Sequence, residues 1–467
     1  MNISQLTYSI NNAKLKDLVS IKEFQTEEDI KLKLNVDNEY LTKGDGSRVR
    51  LFITEKEFLE KYNKLNLNID NIYYNKNTSF TLENAIVYLD LNKYILLDIT
   101  NYIIFQLDEN NDVNQFIKIL EEHYEKEDYS YLLLSIPNAF KLEMLERLIN
   151  SKDIIDDNIY STFMSYYTTT DFGFNSISKE TINKLVNNKS EKLKQETINK
   201  LSQLPEKITI YRGQADKSTE YNKSYSWTTD PSVAVFFSLR LIEENGKIVT
   251  GVVEKKDIIE YFDDKEKEVL VLPENIKEIK VYDFYTMDEV AERTEDILDI
   301  FSTYKYMLNN YLHFEKDDSK HGKLHCLRVL LHSLTIGKLK NLSDGDLNLL
   351  ALASIYHDIG RIDDDLDELH GVRGKEIFEN GDFTNNDIVK FLIEYHCVDD
   401  NLAISFLNES DLDNKDKIKE LLYILKDADA LDRLRFGNYG LDFTYLRNKE
   451  SISMILFAYM SLKYLRL

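Results

Sequence analysis

Cysteine is scarce in this chain. Cys326 and Cys397 are the only two, too few for a secreted disulfide scaffold, so a reducing compartment is expected. Net positive charge is lacking as well, the formal net charge being -24. A nucleic-acid binder usually carries a basic face, so bulk DNA or RNA is not expected as a ligand. A small nucleotide held by a metal ion or a few arginines stays compatible with this balance. No apolar run approaches the roughly 18 residues that span a bilayer. The opening Met-Asn-Ile-Ser-Gln-Leu lacks the basic and apolar regions of a signal peptide. A cytoplasmic protein is expected, or one delivered to another cell without a cleavable signal, and no membrane partner. Internal repeats and long low-complexity linkers are missing too. Proline is limited to four residues, which carries no chemistry.

What is present is a chain of 467 residues, 43% apolar and 30% charged. At roughly 100–200 residues per domain this suggests two to four domains with real cores. Boundaries come from changes of pattern. Residues 1–140 read as a mixed α/β segment of unknown role. Gly44 to Ser47 reads as a turn, and Thr54 with Glu57 as a capping box opening a helix over Glu55 to Leu65. Tyr94 to Leu97 and Tyr129 to Ile136 are apolar enough for strands, with a helix over Val113 to His123 between them. His123 reads as a surface helix residue. From Lys141 to Leu204 the pattern is helical, ending in one amphipathic helix over Leu185 to Leu204. The period then becomes two, predicting strands at Ile208 to Tyr211, Lys247 to Val253, Glu268 to Leu272 and Ile276 to Val281. After Asp288 the pattern is helical to the end. The expected architecture is multidomain α+β: an α/β segment over 1–140, a mixed α+β domain over 141–288 and an all-α domain over 289–467.

Of eight histidines, seven lie between His313 and His396, a clustering that points to metal. His325 opens His-Cys-Leu-Arg-Val on an apolar helix. His357-Asp358 ends the helix Leu349 to Tyr356 and runs into Ile-Gly-Arg361. Asp429 lies in Lys-Asp-Ala-Asp-Ala-Leu-Asp-Arg. Any one such histidine is more often a hydrogen-bonded core residue, but four such positions together are not explained that way. Imidazole with carboxylate suits Fe, Mn, Mg or Zn. Adjacent His and Asp reach one ion only at a helix end, and Gly360 fits such an end. Asp427, on another helical face, reads as a surface or capping residue. Cys326 and Cys397 read as packing residues.

These motifs, with His370-Gly and Glu-Tyr-His396 between them, resemble the HD superfamily of metal-dependent phosphohydrolases over about 150 residues. The resemblance implies His325, His357, Asp358 and Asp429 as metal ligands. It implies His370 and His396 as holders of a second metal or of substrate phosphate, and a metal-activated water as nucleophile. Arg361 would face a phosphate, because guanidinium binds it in a bidentate way.

The middle of the chain carries a subtler set. Ile210-Tyr211-Arg212-Gly213 ends a strand. Tyr225-Ser226-Trp227-Thr228-Thr229 follows, then Ala234 to Ser238 and Lys265-Glu266-Lys267-Glu268-Val-Leu-Val-Leu-Pro. On a strand, Ser226 and Thr228 share a face, and so do Glu266 and Glu268. Two carboxylates there are costly unless something polar or cationic meets them. The triplet resembles the arginine, serine, glutamate signature of toxin-type mono-ADP-ribosyltransferases. It implies that Arg212 holds the NAD pyrophosphate, Ser226 and Thr228 brace the pocket floor, and Glu268 stabilises an oxocarbenium-like transition state, as carboxylates do in glycosidases. Glu266 would orient the acceptor nucleophile, arginine in that family, and Phe236 would stack on nicotinamide. Trp227 departs from the small residue common there, which bears on the acceptor.

Together these readings give a bifunctional enzyme that transfers ADP-ribose from NAD to a protein and cleaves a phosphodiester or phosphate, with a nucleotide or ADP-ribose-linked phosphodiester as substrate. Two alternatives stay open: a toxin or phage-defence effector whose HD domain hydrolyses or senses a free nucleotide, and a protein in which one domain is a catalytically dead binding module.

Overall fold

A computed structural model describes residues 14–23, 40–42, 48–50, 65, 67–75, 86–100, 113–152, 156–169, 176–216, 218–240, 242–317, 319–381 and 386–465. The expected turn at 44–47, and all but the last residue of the helix expected over 55–65, lie outside them. The chain forms two compact units, Met1–Lys200 and Leu201–Leu467.

In the first unit, Leu18–Ser20, Ile72–Asn75, Ile86–Asp90 and Ile95–Asp98 form an antiparallel sheet in that spatial order. The helix expected from Val113 is present as Val113–Glu125. Tyr129–Ser135, read as a strand, is a helix. Its buried residues Tyr129, Leu132 and Leu133 fall at helical spacing, and the Asp128 side chain caps it by accepting the Tyr131 N–H. A short apolar run does not distinguish the two periods by itself. His123 is partly exposed, 2.9 Å from Asp128 and stacked on Tyr131. The single helix expected over Leu185 to Leu204 is two, Lys179–Asn187 and Glu191–Leu201. The break falls where the Ser190 hydroxyl accepts the Leu193 N–H and starts the second helix.

The second unit opens with β1 (Lys207–Ala215), β2 (Ser226–Thr228), α1 (Pro231–Leu239), β3 (Gly246–Glu254), β4 (Ile258–Tyr261), β5 (Glu268–Val271) and β6 (Lys277–Asp283). The strands lie antiparallel in the order β4-β5-β2-β1-β3-β6. Ile208, Ile210, Trp227, Val249, Val269 and Val271 bury a core of their own. α1 crosses β1 at Gly213, where an added Cβ would lie 1.9 Å from the Ala234 carbonyl oxygen. Glycine is required there by closeness of approach.

α2 (Met287–Thr294) follows β6 directly, opened by a capping box between Thr286 and Glu289. Then come α3 (Leu298–Asn310), α4 (Lys323–Leu339), α5 (Asp344–Tyr356), α6 (His370–Glu379), α7 (Asp387–Tyr395), α8 (Asp400–Glu409), α9 (Lys415–Asp432), α10 (Lys449–Ser453) and α11 (Ile455–Tyr464). α4 is buried almost all round, as expected for the central helix of a bundle. Ala234, Val235, Leu239, Ile248 and Phe284 of the sheet region share one core with these helices. Among the described residues no helix is long and apolar enough to cross a membrane.

Candidate functional site

Helix ends bring the histidines together. His357 caps the C-terminus of α5 and His396 that of α7, while His370 opens α6. Each is held through Nδ1 by the carbonyl three residues earlier: His357 on Ser354 at 2.7 Å, His396 on Ile393 at 2.7 Å, and His370 on Asp367. A carbonyl only accepts, so Nδ1 carries a proton and Nε2 is the atom turned to the centre. His325, on α4, has its Nδ1 fixed 2.7 Å from the Asp432 carboxylate.

The four Nε2 atoms face one another in pairs. His325 and His357 are 3.1 Å apart, His370 and His396 2.9 Å. Two bare lone pairs so close would repel, so each pair needs a proton or a metal ion between its nitrogens. Carboxylates surround them: Asp358 Oδ2 is 3.3 Å from His325 Nε2 and Asp429 Oδ1 is also 3.3 Å from it. Asp358 Oδ1 turns to the other pair, 3.2 Å from His370 Nε2 and 3.6 Å from His396 Nε2. Burial pushes His357 down to about 3, so that ring keeps its lone pair at ordinary pH. Burial would lower His325 too, but Asp358, Asp429 and Asp432 outweigh it and push that ring up to about 10. The carboxylates thus demand a positive charge at this point, and a metal ion satisfies it as well as a proton does. The donor set fits one or two divalent ions. Asp429 leaves 39% of its side chain exposed whereas His325 leaves none, so the first pair is reached from the Asp429 side.

The structure therefore gathers His325, His357, Asp358, Asp429, His370 and His396. Arg361 is there as well, its Nε 3.0 Å from Asp358 Oδ1. Gly360 serves another purpose than ending a helix in the left-handed region: a Cβ on it would lie 2.3 Å from the His370 carbonyl oxygen. Asp427, expected as a surface or capping residue, is neither: it is fully buried within α9, accepts the Arg447 and Asn448 backbone N–H groups at 2.9 Å and pairs with the Arg447 guanidinium. Cys326 is buried as expected, but Cys397 is exposed. Three groups were not anticipated. Asp432 holds His325, Arg328 and Arg435. His321 Nδ1 lies 3.0 Å from Asp358 Oδ2. Arg435 Nε is buried without a hydrogen-bond partner. The available signal was spacing, Asp432 standing three residues past Asp429 and His321 four before His325.

Asp432 acts through His325, fixing its tautomer. Asp432→Asn is expected to weaken metal binding about 10–100-fold, the usual loss for a group that orients a ligand. Competition against a chromophoric chelator measures it, and unchanged affinity would remove Asp432 from this role.

The sheet gathers the second set. Arg212, on β1, donates to the Ser226 carbonyl at 2.7 Å and the Thr219 carbonyl at 3.1 Å. Pairing of β5 with β2 sets Glu268 opposite Thr228 and Leu270 opposite Ser226. The Ser226 hydroxyl donates to Glu268 Oε1 at 2.5 Å, and that of Thr228 to the Glu266 carbonyl at 2.6 Å. Glu266 departs from expectation. It lies in the turn before β5, followed by Lys267 at φ 45°, so the two glutamates do not share a strand face. Trp227 is buried in the sheet core, and its Nε1 donates to the Ser224 carbonyl. Phe236, on α1, has its ring 5.3 Å from that of Tyr439, in the loop after α9.

No curated protein and no solved structure matches this chain. A family model does. Residues 324–434 match the family described as HD domain, which encloses His325 to Asp432. The match lies within the helical C-terminal region and supports a metal-dependent hydrolase there.

Proposed function

We propose that residues 289–467 are a phosphohydrolase acting on a phosphodiester or phosphate ester, with His325, His357, Asp358 and Asp429 as metal ligands. The observation that carries this reading is the convergence of four histidine Nε2 atoms on the two oxygens of Asp358. When bound, the divalent ion supplies Lewis acidity and activates water. The chain's own residues do the rest. Asp358 presents one oxygen to each histidine pair. Arg361 and Arg435 hold the substrate phosphate, Arg435 through the buried Nε that has no protein partner. His370 and His396 hold a second ion or the phosphate. Elemental analysis tests the reading. The wild type is expected to carry about one or two divalent ions per chain, and His357→Ala to lose at least one. Equal content in both would sink the assignment.

We infer further that residues 141–288 are an NAD-dependent mono-ADP-ribosyltransferase domain with a protein acceptor. The Ser226–Glu268 hydrogen bond beside a pinned Arg212 supports this best. Arg212 holds the pyrophosphate, Ser226 and Thr228 fix the pocket floor, Glu268 meets the developing cation, and Phe236 stacks on nicotinamide. Glu266 stands in the adjoining turn, on the acceptor's side. The ring contact between Phe236 and Tyr439 joins the two regions, which favours action on linked substrates: ADP-ribose on a protein presents a pyrophosphate, and a divalent ion held by His325, His357, Asp358 and Asp429 would supply the Lewis acidity for its hydrolysis. Free nucleotide as the HD substrate is the rival reading.

A further inference from the structure

We infer that Cys397 is a ligand to a second ion in this centre, completing with His370, His396 and Asp358 a site of two nitrogens, one oxygen and one sulfur. This rests on the metal-centre reading and extends it to the identity of the metal. The first observation is proximity. The ligand atoms of His370, His396 and Cys397 all lie within 4.8 Å of one another. Asp358 Oδ1 closes the group from the opposite helix end. The thiol is seated against the first turn of α6, where a Cβ on Gly371 would lie 3.2 Å from Sγ. His370 projects from that same turn.

The second observation is a parallel between two helix ends. α5 ends Tyr356-His357-Asp358 and α7 ends Tyr395-His396-Cys397. In both, the histidine is the C-cap and gives its Nδ1–H to the carbonyl three residues back. In both, the next residue follows the helix end. Asp358 uses that position to reach the histidine pairs, and Cys397 occupies the equivalent position beside His370 and His396. The chemistry follows from the donor. A thiolate is a soft ligand, which favours zinc, cobalt or ferrous iron over magnesium or calcium. The first position, with imidazole and carboxylate only, carries no such preference for a thiophilic ion.

Cobalt(II) chloride added to the metal-depleted full-length protein tests this. The wild type is expected to show a near-ultraviolet thiolate-to-cobalt charge-transfer band together with visible d–d bands. Cys397→Ser should lose the near-ultraviolet band and keep d–d absorption, while Cys326→Ser should keep both. Cys397→Asp reproduces the residue found after His357, so it should bind cobalt without the band and serves as the folded control. If the wild type binds cobalt but shows no thiolate band, or if Cys397→Ser keeps it, the assignment of Cys397 is overturned and the metal centre stands. If the wild type binds no cobalt, the metal centre itself is overturned.

Discussion

Asp358→Ala is expected to abolish the hydrolase, lowering its rate about 1,000-fold or more, and to empty the centre of metal. A factor of 1,000 corresponds to about 4 kcal/mol of transition-state stabilisation. Losing the ion forfeits a Lewis acid worth several kcal/mol. Asp358 is the residue with most to lose, because its two oxygens serve different histidine pairs. It is 2% exposed, and it also holds Arg361 and His321. Removing it leaves buried cationic partners uncompensated, which is destabilising in its own right. Asp358→Asn, which keeps the shape, is therefore the companion variant, and its metal content should fall likewise. The substrate question is read in the same samples. With the wild type, mass spectrometry of a modified target protein should show a small phosphate-bearing remnant. With Asp358→Ala it should show the whole ADP-ribose. Equal attached masses would mean that the two regions do not share a substrate and that the HD domain works on a free nucleotide.

The residues that gather at the candidate metal centre were legible because each sits at a strongly patterned place: an apolar helix that stops at His357, a glycine after His370, an aspartate in the apolar run of α9. Their partners were not, because the partnership joins helices distant in sequence. Asp432 meets His325 and Arg328 across 107 and 104 residues, and no local period encodes that. Cys397 was read as packing; its exposure, its nearness to His370 and His396 and the parallel between the ends of α5 and α7 separate it from Cys326. In the sheet region, strand positions followed from period two, and β1, β3, β5 and β6 fall where it placed them. Glu266 did not, because alternation was carried through Lys267, whose positive φ makes a turn. The strand read at Tyr129 failed for the opposite reason: its apolar residues satisfy both periods, and the deciding cap at Asp128 is a single hydrogen bond. The contact of Phe236 with Tyr439 depends on how the sheet and the helices share one core, which sequence pattern does not encode.

Glu268→Gln is expected to reduce release of nicotinamide from NAD about 100-fold or more at pH 8, since directed electrostatic stabilisation is typically worth several kcal/mol. The substitution keeps shape and hydrogen bonding to Ser226 but removes the charge that meets the developing cation. The pH dependence gives a sharper signature. Burial pushes the Glu268 carboxyl up to about 7; the Ser226 hydrogen bond opposes this, and Glu266 and Asp264 add to it. The active form is the ionised one, so kcat/KM for NAD should climb about tenfold per pH unit below 7 and level off above it. The variant should show a flat profile. Stability runs the other way. The folded carboxyl binds its proton more tightly than the unfolded one, so its burial costs nothing below about 4.5 and increasingly destabilises the fold as pH rises to about 7. Glu268→Gln is therefore expected to be more heat-resistant than the wild type at pH 8 while being far less active, the exchange of stability for function that active sites commonly show. Glu266→Gln should spare NAD hydrolysis and impair only transfer to the acceptor, because its side chain belongs to the turn and not to the Glu268 strand. Nicotinamide release at an unchanged rate in Glu268→Gln, with the pH profile of the wild type, would refute the transferase reading.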